Sequence, residues 1–298
     1  VKDGSIIIVG KELDEKYIDA VLYTGIDKDA VRRVSDGLKV VYTPLHGAGY
    51  KMGPEVFKRV GLKHLYTVDE QMTPDGNFPT VKKPNPEYPD VFTIGIEIAN
   101  KVGSDIVIAT DPDSDRVGVM TRTPDGSFRT ISGNQMGALL LDYIIRKKKE
   151  LGTLPTKPYC VKSIVSTDMA ARIAEVHGIR LYDVLTGFKF IGEQIQLLEN
   201  DGEDDRYILG FEESYGYLSR GYVRDKDGVN ASMLICEMTA YYKALGKDLI
   251  TVLDDIYKKY GYCLCVQTSF ACEGGHLVSL LANESPRSAG GKGLTVRE

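Results

Sequence analysis

The stretch "DIVIATDPDSDRVGVMTR", residues 105 to 122, reads as a strand, an acidic loop and a second strand. The run "DIVIA" is short, apolar and β-branched, as a buried strand requires, and "VGVMTR" starts another. Between them stand Asp111, Asp113 and Asp115, followed at once by Arg116. Carboxylates that close repel one another unless a positive charge sits among them. In open α/β sheets ligands collect beyond the carboxyl ends of strands, which is where this loop falls. Hard oxygen donors at i, i+2 and i+4 suit Mg2+ or Ca2+ and not a soft metal. The plain alternative is a solvated acidic turn, which the apolar run before it and Arg116 after it disfavour.

On either side, β-branched runs alternate with segments of helical period, the signature of α/β layering. Upstream, the pattern predicts a helix around 14 to 23, a strand at 38 to 43, a helix near 51 to 60, a strand "HLYTV" and a helix at 91 to 102. Downstream, "VGVMTR" and "SFRTI" form a hairpin, because Pro124-Asp125-Gly126 supplies the turn. A second round opens at "SGNQMGALLLDYIIRKKKE", where Ser132 can cap a helix whose last turn carries cations suited to its negative end. It continues with a strand "YCVKSIV", a helix near 168 to 177, a strand "IRLYDVL", a helix from about 189, a strand "RYILGF" and helices near 228 to 245 and 247 to 260. The two rounds have similar size and order, so two α/β domains are expected, at 1–131 and 132–262, before a Gly- and Ser-rich tail at 263–298.

Composition narrows the class. A net charge of −5 and a pI near 5.6 leave no basic excess for a phosphate backbone, which argues against a nucleic-acid partner. No apolar stretch approaches the ~18 residues of a bilayer span, and "SIIIVG" is too short for a signal-peptide core, so a cytoplasmic protein is expected. Five scattered cysteines do not form a disulfide framework, and Cys263, Cys265, Cys272 and His276 match no common zinc spacing. A first residue of valine points to a processed product or a piece of something longer.

Spacing tests two metal-loop families. An EF-hand counted from Asp111 would need Gly and an acid where Arg116 and Arg122 stand, and is excluded. A haloacid-dehalogenase-like phosphatase, with Asp111 as nucleophile, stays as an alternative, although Asp115 replaces its usual Thr or Val. "TPLHGAGYKMG" carries Gly47, Gly49 and Gly53 between a strand and a helix; its last interval is too long for a dinucleotide fingerprint, so a close-packed turn is expected. Residues 70 to 90 hold five prolines and little periodicity, which reads as an ordered, functional surface loop. "TGFKFIGE" (186 to 193) and "GFEESYGYLSRGYVRDKDG" (210 to 228) read as polar loops. Glu212 and Ser214 there could grip sugar hydroxyls, with Arg224 and Lys226 available to a phosphate.

Taken in order, these pieces resemble the α-D-phosphohexomutases, the phosphoglucomutase and phosphomannomutase family. "TDPDSDR" resembles its metal loop, usually D-G-D-G-D-R, and "GFEESYGY" its sugar-recognition loop. "TPLHGAGY", "PDGNFPTVKKPNPE", "TGFKFIGE" and "RDKDG" fall in the expected places, and the match runs from about residue 5 to 262. The resemblance implies two tandem three-layer α/β/α domains with mixed sheets. It also implies phosphoryl exchange between the 1- and 6-positions of a hexose phosphate, glucose or mannose, through a phosphoserine. In that scheme Asp111, Asp113 and Asp115 hold Mg2+, and Arg116 contacts the same phosphate. Thr186, Gly187, Glu212, Ser214 and Lys226 meet the sugar phosphate, and Lys162 lies near the reacting oxygens. The family's T-A-S-H-N-P serine motif and S-G-T-E phosphate loop do not occur in these residues. The resemblance therefore implies the middle two of four domains, inactive alone without the N- and C-terminal partners. A non-catalytic sugar-phosphate binding module is the further alternative.

Overall fold

Five strands form the first sheet: β1 (Lys39–Thr43), β2 (His64–Thr67), β3 (Ile106–Thr110), β4 (Val117–Arg122) and β5 (Phe128–Ile131). In this computed structural model, which describes residues 4–7 and 9–266, their order is β2-β1-β3-β4-β5. The first three run parallel, and β4 and β5 return antiparallel through the hairpin whose turn is closed by Gly126 N–H donating to Thr123 O at 2.9 Å.

Side-chain alternation divides the apolar residues between two faces. On β1 and β3, Val41, Val107 and Ala109 pack with Val91, Phe92 and Ala99 around α4 (Thr93–Val102). Val40, Tyr42, Ile106 and Ile108 face the opposite way, towards α1 (Lys11–Tyr23), the single turn α2 (Ala30–Arg33) and α3 (Gly49–Arg59). That makes three layers.

The second sheet repeats the plan with β6 (Tyr159–Ser163), β7 (Arg180–Val184), β8 (Tyr207–Glu212) and β9 (Gly216–Leu218), in the order β7-β6-β8-β9 with β9 antiparallel. One face carries α7 (Phe188–Asn200), whose Phe188, Ile191 and Ile195 meet Tyr159, Val161 and Tyr207. The other face turns Cys160, Leu209 and Phe211 towards α5 (Gly133–Glu150) and α6 (Met169–His177). Helix α5 starts where Ser132 and Gln135 form a reciprocal capping box.

Two sequence expectations need correction. The segment at 186 to 193 is a loop only at Thr186 and Gly187, because α7 begins at Phe188. The segment at 210 to 228 is not loop throughout: β8 runs to Glu212 and β9 follows after three residues. The helix expected near 228 to 245 is present as α8 (Gly228–Ala244), and it is buried on nearly every side. It packs on α2 and α3 beside the first sheet as well as on α5, β9 and α9 (Leu249–Tyr260), so one apolar cluster runs through both halves. A helix this buried has to find partners for its polar side chains as well, and Asn230 and Glu237 find them in the first half.

The proline-rich loop is flanked by single 3-10 turns at Asp69–Gln71 and Pro89–Phe92. Cys272 and His276, with most of the tail, lie outside the described residues. No helix among the described residues is long and apolar enough to cross a membrane.

Candidate functional site

The acidic loop leaves β3 at Thr110 and rejoins the sheet at Val117. Its reversal depends on a close approach from the "TPLHGAGY" turn: Ala48 N–H donates to Pro112 O at 2.7 Å. A Cβ on Gly47 would stand 2.2 Å from Pro112 Cα. Gly49 and Gly53 press equally on Tyr42, so this turn is packed against protein in the way the spacing suggested.

Within the loop, Asp111 Oδ1 accepts the N–H groups of Asp115 (3.1 Å) and Arg116 (2.9 Å). One ligand oxygen from each of Asp111, Asp113 and Asp115 can be chosen so that all lie within 4.8 Å of one another. Burial, opposed by the Arg116 N–H and reinforced by Asp115 and Asp113, pushes the Asp111 carboxyl up to about 7. Among the described residues, five buried side-chain polar atoms have no hydrogen-bond partner, and Ser114 Oγ, Asp115 Oδ1 and Arg116 Nε are three of them. Buried polar groups are otherwise almost always paired, so this concentration in one loop is compatible with a ligand there. The hard oxygen set, with an Asp115 Oδ1 that makes no hydrogen bond, fits Mg2+.

The segment from 210 to 228 is joined to the acidic loop through the backbone. Arg116 and Gly216 form an antiparallel bridge, Val117 N–H donates to Tyr215 O at 3.0 Å, and Gly228 N–H donates to Ser114 O at 2.9 Å. Lys226 completes the junction with an ion pair to Asp115 Oδ2 at 2.7 Å. Beside it, Asp227 caps α8 and accepts the hydroxyls of Tyr17 and Tyr222, which fixes the chain carrying Lys226. Glu212, at the carboxyl end of β8, is buried and accepts Gly187 N–H at 2.8 Å. Burial raises its carboxyl above the usual range, against the Gly187 N–H and the Lys226 charge. Ser214 is half-buried next to it, and Thr186 is exposed.

The sequence-predicted residues thus fall into a group and two that pair elsewhere. Asp111, Asp113, Asp115, Arg116 and Lys226 surround one point, and Gly187, Glu212 and Ser214 adjoin it through the bridged loop. Lys162 is different: its side chain is 1 % exposed, and its ammonium bonds Ser163 O (3.3 Å), Ser166 O (3.2 Å) and Asp183 (2.8 Å). Arg224, expected to be free for a phosphate, instead pairs with Glu199 on α7 and with Gly221 O. Sequence reasoning also passed over Glu87, whose carboxylate lies 3.7 Å from Arg116; its signal was the "PNPE" end of the proline-rich loop.

Two family models match, described as phosphoglucomutase/phosphomannomutase α/β/α domain II over residues 15–126 and domain III over residues 132–260. The chain belongs to the phosphoglucomutase/phosphomannomutase family. A curated phosphoglucomutase of Staphylococcus aureus (strain N315) is 39% identical over 224 residues, covering 75% of this chain and 39% of that protein. A crystal structure assigned as a phosphomannomutase of Thermus thermophilus superposes with a TM-score of 0.67 at 25% identity, covering 84% of this chain and 51% of that one. Aspergillus fumigatus N-acetylphosphoglucosamine mutase, solved in complex with GlcNAc-6P and magnesium, is similar in fold alone. Its TM-score is 0.51 at 15% identity, over 80% of this chain and 49% of that one. The chain therefore spans well under two thirds of the phosphohexomutases it matches, and its two sheets with their flanking helices are the mixed α/β architecture of domains II and III of the family.

Proposed function

We propose that this chain supplies the cation-binding and sugar-recognition parts of a phosphohexomutase, an isomerase that moves a phosphoryl group between the 1- and 6-positions of glucose or mannose phosphate. Residues 1–131 would form the first part and 132–262 the second. The observation that carries the reading is the backbone bridge between Arg116 and Gly216, because it sets the three aspartates directly against the loop holding Glu212 and Ser214.

Asp111, Asp113 and Asp115 would hold Mg2+, which when bound would offset negative charge on a phosphoryl group in transfer. Arg116, held among acids without a short hydrogen bond to them, would offer its guanidinium to the same phosphate. Glu212 would accept sugar hydroxyls while the Gly187 N–H keeps it oriented, with Ser214 beside it. Thr186 and Gly187 would form the edge that meets the ring. Lys226, paired with Asp115, would meet substrate phosphate. Lys162 would act on the reacting oxygens only after exchanging one of its present partners. The phosphoserine that donates the phosphoryl group would come from outside these 298 residues, in keeping with the share of its relatives that the chain covers.

The test is calorimetry with glucose 1-phosphate in excess Mg2+. Glu212→Gln keeps an acceptor for Gly187 but removes the charge, and is expected to weaken binding about tenfold, the usual scale for a charged hydrogen bond. Equal affinity in the variant would refute the recognition role. Mutase turnover by the chain alone would refute the external donor, and phosphate release from a generic ester, abolished by Asp111→Asn, would point to the phosphatase chemistry instead.

A further inference from the structure

Glu87 sits in a segment whose shape is fixed on every side. Asn85 Oδ1 accepts Glu87 N–H at 2.9 Å, and Tyr88 N–H donates to Asn85 O at 3.0 Å, so Pro86 and Glu87 form the corner of an Asx turn. Pro86 is buried against β4 at Gly118, where a Cβ would come within 2.7 Å of both its Cβ and its carbonyl oxygen. Only a glycine leaves room for that approach. Gly118 lies two residues beyond Arg116, so the notch that seats Pro86 also sets the Glu87 carboxylate beside the Arg116 guanidinium.

Arg116 is thereby suspended among three acids. Its Nη1 is 3.7 Å from Glu87 Oε1, and its Nε is 3.6 Å from Asp111 Oδ2 and 3.8 Å from Asp115 Oδ1. None is a hydrogen-bond distance, and Nε has no hydrogen-bond partner. Two of the three acids belong to the proposed cation cradle. A cation bound there would neutralise Asp111 and Asp115 and repel Arg116, which would leave Glu87 as the acid still holding it.

We infer that Glu87 is a positioning residue: it retains the Arg116 guanidinium at the acidic loop and keeps that charge from competing with a divalent cation for Asp111 and Asp115. The inference rests on the proposed cation reading of the loop and adds to it a residue from a different segment.

A double-mutant cycle on the full chain tests it, with Glu87→Gln, Arg116→Met and the pair. Mg2+ affinity is measured by calorimetry, and the Arg116 Nε–H signal by NMR without metal. Glu87→Gln is expected to weaken Mg2+ binding about threefold to tenfold, the scale of coupling between neighbouring charged groups, and to change it little once Arg116 is gone. The metal-free Arg116 signal is expected to shift and broaden in Glu87→Gln while the melting temperature holds. An equal loss of affinity in both backgrounds would reduce Glu87 to a general charge and overturn the inference, as would an unmoved Arg116 signal. Should the unsubstituted chain bind no Mg2+, the cation reading falls, and the Arg116 signal alone decides whether Glu87 positions it.

Discussion

Ser114 shows what a single residue of the acidic loop costs. Its φ of 61° is left-handed, a conformation that burdens a side chain by about 1–2 kcal/mol, and its Oγ is buried without a partner. The pattern that this loop resembles carries glycine there. Ser114→Gly is therefore expected to leave stability unchanged or raise it by up to about 1 kcal/mol, the gain being partly offset by the freer unfolded chain. Urea denaturation reads this directly, and a loss beyond about 1 kcal/mol would mean that the hydroxyl has a structural role. The aspartates were legible in the sequence because three acids after an apolar strand are unusual. The strain was not, since it arises from a turn compressed between Gly228 N–H on one side and the "TPLHGAGY" turn on the other.

Among elements, the hairpin of β4 and β5 and the capping box of α5 were legible because both are local: the residues that fix them lie within a few positions. β9 was not, because three residues carry no period and its place depends on pairing with β8 and meeting Arg116. The tie between α5, α6 and α9 also escaped the sequence. Lys149 Nζ lies 2.9 Å from His177 Nδ1, and His177 Nε2 lies 2.8 Å from Tyr260 Oη and 3.3 Å from Lys259 Nζ. Tyr260 in turn donates to Asp142 at 2.5 Å. Burial, and then Lys149 and Lys259, hold His177 below its ordinary value of 6.5. A histidine depressed in the folded state gives stability that is complete above 6.5 and is lost as pH falls from there towards the folded value. The stability difference between the natural chain and His177→Gln should therefore shrink as pH is lowered from about 7 to about 5. A difference independent of pH would show that the imidazole is not held neutral.

At the scale of the whole molecule, α8 decides how the halves meet. Its N-terminal Gly228 donates to the acidic loop, its buried Asn230 donates to Thr24 at 2.6 Å, and Glu237 accepts Ile26 N–H, Asp27 N–H and Tyr143 Oη. A helix read from the second round thus anchors the first, and Lys226, just before it, reaches Asp115 across more than a hundred residues of sequence. Periodicity shows that such a helix is enclosed but not what encloses it, which is why the elements were readable and their junction was not. The functional reading proposed for the molecule depends on the acidic loop at this junction holding a divalent cation. Calorimetric titration of the chain with Mg2+, against Asp113→Asn, decides the matter, because Asp113 is exposed and its replacement should leave the fold alone. One saturable Mg2+ site per chain is expected, weakened at least about tenfold by Asp113→Asn, the scale on which a charged ligand contributes, with an unchanged melting temperature. Absence of saturable binding, or equal affinity in the variant, would contradict it.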